Sequence, residues 1–200
     1  MTLCVTEQRC RARRWGMSTL PALVHTPRLV VRQWTVDDAP AMQAAIDASV
    51  EHLRPWMPWI EHEPMPRADR ITLIASWVVA WHEGGDAVLG LFLDDEIVGG
   101  SGLHRRSGPE VVEIGYWVHV DHVGQGYATE AAQALTDAAL ATDGIERVEI
   151  KHDKANLASG RVPEKLGFER IGEVAVEPKA PAETGIHVVW STDLRSRARV

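Results

Sequence analysis

Between Ile71 and Trp81 the apolar positions Ile71, Ile74, Trp77, Val78 and Trp81 recur at intervals of three and four, the spacing of one buried helical face. Gly84-Gly85 closes the helix this predicts, over residues 67–83. An earlier helix is predicted over 36–49. Thr35 and Asp38 form a capping-box-like pair at its start, Pro40 falls in its first turn, and Met42, Ala45, Ile46 and Ser49 continue at helical spacing. Between the two, Leu53-Arg-Pro-Trp-Met-Pro-Trp-Ile60 reads as a loop or broken turn, because Pro55 and Pro58 each remove a donor and restrict the preceding residue. Strands are predicted where β-branched and apolar residues crowd together, at 28–34, 87–93, 96–103, 111–120, 146–152, 168–176 and 186–194. Asp94-Asp95 and Ser107-Gly-Pro-Glu110 are the turns of an antiparallel meander. An alanine-rich helix over 127–141 and a short one over 161–166 complete the pattern. The order β, α, α, β, β, β, α, β, α, β, β predicts an α+β domain with a mixed, mostly antiparallel central sheet.

Composition narrows this. At 200 residues, with 45% hydrophobic and 24% charged residues, the chain can bury one sizeable core. Its longest uncharged apolar stretch, residues 71–81, is well short of the roughly 18 residues a membrane-spanning helix needs. Both cysteines, Cys4 and Cys10, lie near the start and frame no disulfide or zinc site, which fits a cytoplasmic location. Of the net charge of −7, four arginines against one glutamate make residues 1–16 +3, leaving −10 for the remainder. Residues 1–16 are expected to be a disordered basic extension, and 17–200 a single domain. An acidic body disfavours nucleic acid and draws a cationic small molecule or basic peptide modestly.

The candidate chemistry centres on Glu113-Ile-Gly-Tyr-Trp-Val-His-Val-Asp-His-Val-Gly-Gln-Gly-Tyr-Ala-Thr-Glu-Ala131, where a strand runs through a glycine turn into a helix. Gly124 and Gly126 let the backbone approach a ligand, and the free N–H groups of the first helical turn, from Tyr127 on, point the same way with the helix dipole. A diphosphate can bind there without a basic side chain. A P-loop would need Gly-Lys-Ser/Thr, but Tyr127 follows Gly126; a dinucleotide fingerprint would want Gly or Ala where Thr129 stands, and it opens a parallel unit rather than closing a meander. The turn does satisfy the acyl-coenzyme A pattern Gln/Arg-x-x-Gly-x-Gly/Ala at Gly126 and Ala128, with Val123 in its first position.

With Asn156-Leu-Ala-Ser-Gly-Arg-Val-Pro-Glu-Lys-Leu-Gly-Phe168 and the Leu53-Arg-Pro-Trp-Met-Pro-Trp59 stretch, these motifs make residues 27–194 resemble the GNAT N-acetyltransferase superfamily, in its ribosomal-protein N-terminal (alanine/serine) acetyltransferase branch. The departure is Val123, where the family has Arg or Gln; it removes one side-chain contribution and leaves the backbone cradle. The resemblance implies helices on both faces of the sheet and a splay between the fourth and fifth strands that admits the pantetheine arm of acetyl-CoA. It also implies that backbone groups of Val118 and Val120 bind the acetyl-pantetheine amides as an added strand would. Val123, Gly124, Gln125, Gly126, Tyr127, Ala128 and Thr129 would hold the pyrophosphate. Asn156 would meet pantetheine, and Ser159 would sit near the thioester sulfur; capping of a helix is the other role open to both.

Acetyl transfer to an amine needs a neutral nucleophile, oxyanion stabilisation and a proton for the departing thiolate. An α-amino group, with a pKa near 8, asks only for a mild base or a water relay. Glu113, on the strand beside the splay, is the expected base, acting through water, and Ser159 the expected partner of the sulfur. The Val118 N–H is expected to polarise the thioester carbonyl. His119 and His122 compete for the role of base, but a metal between them is not expected, since they would point to opposite faces of a continuing strand. Trp56 and Trp59 are expected to line the acceptor cleft, while Trp117 and Trp190 read as core. The expected activity is direct transfer from acetyl-CoA to a protein N-terminal α-amino group, such as that of a ribosomal protein, with a homodimer left open. Small amines or aminoglycosides are the alternative acceptors, and a non-catalytic acyl-CoA-binding module is the alternative of another class.

Overall fold

The computed structural model describes residues 19–197. The expected basic extension, with Cys4 and Cys10, lies outside them. An eight-stranded sheet runs in the order β1-β2-β3-β4-β5-β6-β8-β7, built from β1 (Leu23–His25), β2 (Val30–Gln33), β3 (Ala87–Leu93), β4 (Glu96–His104), β5 (Val111–Val118), β6 (Arg147–Asp153), β7 (Glu169–Ala175) and β8 (Ile186–Asp193). β5 and β6 are parallel, and the other neighbours are antiparallel. Four main helices cover it: α1 (Ala39–Leu53), α2 (Arg67–His82), α3 (Tyr127–Leu140) and α4 (Leu157–Lys165). The mixed α+β sheet is as expected, with one added strand. β1 is three residues between Pro21 and Pro27, too short for a hydrophobic period to register.

Alternation along the strands separates two cores. Val31, Leu89, Leu91, Val112, Ile114, Val148 and Ile150 face α3 and α4, against Ala131, Leu135, Ala139 and Val162. Trp34, Phe92 and Ile97 turn the other way and pack with Met42 and Ile46 of α1 and Ile74 of α2; half-buried Val30, Val88 and Trp117 join them. Each fully buried aliphatic side chain of this kind stabilises the fold by about 1.5–3 kcal/mol relative to exposure. A bulge where β4 passes Gly99 restores the alternation that the α1/α2 face requires further along the strand.

α1 starts three residues later than its capping pair suggests. Thr35 and Asp38 close a short 3-10 turn, with the Thr35 backbone N–H and hydroxyl both donating to the Asp38 carboxylate, and the α-helix follows from Ala39. The proline-broken stretch becomes a turn and a second 3-10 segment, Pro58–His62. It is clamped to both helices inside the core: the buried Arg70 guanidinium of α2 binds the buried Glu63 carboxylate and also donates to Gln43 of α1. No helix among the described residues is long and apolar enough to cross a membrane.

Candidate active site

The parallel pairing of β5 with β6 covers only Val111↔Arg147, Val112↔Val148 and Glu113↔Glu149, although β5 continues to Val118 and β6 to Asp153. β6 stays with β8 along its whole length, and β5 stays with β4 up to Val118. From Ile114 onward the sheet is therefore split, between what the added first strand makes the fifth and sixth strands. Backbone direction alternates along a strand, and the His119 N–H donates to Val98 on the β4 side, so the backbone groups of Ile114, Tyr116 and Val118 point into the split. That is an open strand edge inside a sheet, able to accept an extended ligand.

β5 ends two residues earlier than the hydrophobic run suggests. Val120 belongs to a short 3-10 turn, Val120–His122, and its N–H donates to Ser49 Oγ of α1 at 3.1 Å. This turn also corrects the expected opposition of His119 and His122, whose rings lie 5.5 Å apart. His119 Nδ1 accepts from the Asp121 N–H, and His122 Nε2 meets Glu96 at 3.1 Å. Among the described residues no group of three or more His, Cys, Asp or Glu could hold a metal ion.

Past this turn Val123 stands exposed, and Gly124 and Gly126 take φ of 77° and 85°, left-handed values that side chains disfavour. A Cβ at Gly124 would meet nothing within 4 Å, so backbone conformation rather than crowding in the protein demands the glycine. The first intrahelical bond of α3 runs from the Glu130 N–H to the Gly126 carbonyl, which leaves the N–H groups of Tyr127, Ala128 and Thr129 without helix partners at the positive end of the dipole. Gln125 completes the loop, its amide donating weakly to the Asp121 carbonyl at 3.4 Å.

A cation that the motif left unaccounted for arrives from a distant part of the chain. Arg28, in the β1–β2 turn, donates to the Gln125 carbonyl at 3.1 Å and to Glu130, and its guanidinium lies 4.6 Å from the Tyr127 ring centroid. Burial raises the Glu130 carboxyl, but hydrogen bonds from Thr26 and Arg28 lower it further, and the net result is below the usual carboxylate range. Nothing at position 28 marks it in sequence, since the contact spans about a hundred residues.

Across the split, Asn156 caps α4 by accepting the Ser159 N–H at 3.1 Å, so the helix begins four residues before the expected 161. α4 is anchored below by the buried Asp153, which accepts from Ala155, Thr184 and Gly185. Tyr116 of β5 reaches over and donates to the Ser159 carbonyl at 2.9 Å, while the Ser159 hydroxyl donates to the Tyr116 oxygen at 3.3 Å. Burial pushes the Tyr116 phenol up to about 12, although the Ser159 hydrogen bond lowers it, so it stays protonated at neutral pH. The hydroxyl partner of Ser159 is thus a tyrosine and not a histidine.

Glu113 emerges on the opposite, α1/α2 face. Its Oε1 accepts from Arg106 at 2.9 Å and its Oε2 from Lys151 at 3.0 Å, and Lys151 also pairs with Glu149 and Ser107. On the same face the Trp59 and Trp117 rings meet edge to face at 6.1 Å, and the Trp117 indole lies over Gly100. Half-buried Trp56 belongs to the neighbouring turn, which the 176–185 loop joins through Ala182 N–H to the Pro55 carbonyl. The structure therefore gathers residues 118–129, 156 and 159 around one split, and sets Glu113, Trp59 and Trp117 on the face of the sheet opposite Tyr116 and Ser159. Trp190 is half-buried and stacks on His152, as a core reading requires.

Comparison with known proteins agrees with this fold. A putative ribosomal N-acetyltransferase, YdaF of Bacillus subtilis, is 27% identical over 146 residues, 72% of this chain and 80% of the relative. RimL, a ribosomal L7/L12 α-N-protein acetyltransferase in complex with coenzyme A, superposes with a TM-score of 0.77 at 17% identity, over 87% of this chain and 99% of that one. The microcin C7 self-immunity acetyltransferase MccE, in complex with acetyl-CoA and AMP, gives 0.77 at 16% identity, over 84% and 93%. At such identities the two structures speak for the fold alone. The family model described as an acetyltransferase (GNAT) domain matches residues 28–169, most of the chain, and the protein accordingly belongs to the GNAT acetyltransferase family.

Proposed function

We infer that this protein transfers acetyl from acetyl-CoA directly to a primary amine, with a protein N-terminal α-amino group, as on a ribosomal protein, as its acceptor. The observation that carries the reading is the split itself: the outward-turned backbone of β5 from Ile114 to Val118 leads to the bare N–H groups of residues 127–129. An extended amide-bearing arm ending in a diphosphate matches both. Val118 would supply strand-like bonds to the pantetheine amides and an N–H to the thioester carbonyl, and Val120 would do so by giving up Ser49. Residues 123–129 would hold the diphosphate. Asn156, whose side-chain oxygen is spent on the cap, keeps its amide N–H groups for the arm. Ser159 would deliver a proton to the thiolate, with Tyr116 fixing its position. Trp56 and Trp59 would line the acceptor side, where a cytoplasmic protein N-terminus would enter. Glu113 can abstract a proton only if one of its two ion pairs opens.

The names of YdaF and RimL support an N-terminal acceptor over a small amine. Thiol release from acetyl-CoA, measured against peptides beginning with Ser, Ala or Met and against small amines including aminoglycosides, tests the reading. Turnover with a peptide N-terminus is the expected result. Turnover confined to small amines overturns the acceptor, and tight coenzyme A binding with no turnover on any amine overturns catalysis.

A further inference from the structure

We propose that His104, oriented by Asp86, is the general base that takes the proton from the acceptor amine; the proposal rests on the acetyltransferase reading above. Asp86 stands in the turn between α2 and β3, and His104 at the end of β4. The two side chains meet at 2.7 Å between His104 Nδ1 and Asp86 Oδ2. The second carboxylate oxygen accepts the Arg105 backbone N–H at 2.9 Å, so the carboxylate is held at both ends. Burial raises the Asp86 carboxyl, but the hydrogen bonds from Arg105 and His104 and the nearby Arg106 bring it below its ordinary range. An ionised carboxylate only accepts, so Nδ1 carries the hydrogen and Nε2 presents its lone pair in the neutral ring.

Nε2 opens on the mouth of the split, about 10 Å along β5 from Val118, a span that a short water relay covers. A Cβ built on Gly102 would fall 2.4 Å from it, and one built on Gly115 would fall 3.7 Å from it. The ring therefore lies flat over two glycines, one from β4 and one from β5, on the face it shares with Trp117 and Trp59. Gly115 is the second residue of β5 beyond the last pairing with β6, at the mouth of the split. No hydrogen bond to Nε2 is formed among the described residues, and the side chain is 16% exposed, so water reaches it. The other candidates are engaged elsewhere. His119 and His122 sit beyond the end of β5 and are bonded to Asp121 and Glu96, and both oxygens of Glu113, the cross-strand neighbour of His104, are held by Arg106 and Lys151.

In the reaction the amine lone pair forms the new C–N bond at the thioester carbonyl as its proton passes through water to Nε2. The C–S bond then breaks with its electron pair leaving on sulfur, and the thiolate is reprotonated from the Ser159 side. Asp86 acts through the ring and is a positioning residue.

The test is thiol release from acetyl-CoA with whichever amine the unaltered protein turns over fastest, alongside coenzyme A binding by calorimetry. H104Q and H104A should lower kcat about 100-fold or more while the KM for acetyl-CoA changes less than twofold, and added imidazole should restore part of the rate of H104A. D86N should lower kcat with the same unchanged KM, and D86E should recover part of it. If H104A fails to bind coenzyme A, H104Q and D86N decide the matter. Retention of more than half the wild-type kcat by H104Q, or a large loss in E113Q that H104Q does not share, overturns His104 as the base and leaves the acetyltransferase reading standing. Absence of turnover by the unaltered protein with every amine overturns both.

Discussion

Arg28 illustrates what single residues contribute to this site. Its guanidinium braces the loop that precedes α3 through the Gln125 carbonyl and ties it to Glu130. The side chain is nearly half exposed, so solvent discounts the interaction to about 1 kcal/mol. Arg28→Ala should accordingly weaken coenzyme A roughly fivefold in calorimetry, with little change in thermal stability. Such residues escape sequence reading for a physical reason. Arg28 and Glu130 become neighbours only when α3 packs beside the β1–β2 turn, and Asp86 and His104 only through strand pairing, and neither pair shares a helical or strand period that would flag it. Gly124, Gly126, Asn156 and Ser159 are legible because their function is local: turn geometry and a cap leave a mark within a few residues.

The elements show the same division. Most helices and strands are readable from apolar spacing, and Pro55 and Pro58 stop a helix where the chain does turn. The split between β5 and β6 is not, since Ile114–Val118, which leaves β6, is as β-like as Val111–Glu113, which pairs with it. Two packing contacts make the supporting elements testable. Gly160, in the first turn of α4, lies against the His152 ring, and a Cβ there would come within 2.7 Å of two ring atoms. Gly160→Ala should push α4 away from β6, displacing Asn156 and Ser159; coenzyme A affinity and melting temperature should both fall. Arg70→Ala leaves the Glu63 carboxylate buried and unpaired between α1 and α2, which costs about 3–5 kcal/mol. A fall in Tm of about 10 °C is expected by calorimetry, with the packing around Trp59 loosened.

Across the whole molecule, carboxylates at joints between elements set the response to acid. Asp38 at the start of α1, Asp86 before β3, Glu130 in α3 and Asp153 at the end of β6 are all held below their ordinary range: burial raises each, and the hydrogen bonds of Arg32 and Thr35, of Arg105 and His104, of Thr26 and Arg28, and of Ala155, Thr184 and Gly185 respectively lower it more. A carboxyl whose folded value lies below its unfolded one contributes stability that is fully present above the unfolded value, about 4, and is lost as pH falls through the folded value. Stability from these groups should hold at neutral pH and decline below about pH 4. Urea midpoints measured from pH 7 down to pH 2 check this; a midpoint that stays flat or rises on acidification contradicts it.

The bond from the Val120 N–H to Ser49 Oγ joins the turn after β5, which on the proposed reading would meet pantetheine, to α1, which would wall the acceptor side. If the nucleotide thioester takes that N–H, α1 is released at Ser49 and the acceptor meets an altered wall, so the two reactants enter in sequence, thioester first. An unreactive acceptor analogue should then inhibit competitively against the acceptor and uncompetitively against acetyl-CoA, whereas in Ser49→Ala, with no latch to break, its inhibition against acetyl-CoA should become noncompetitive.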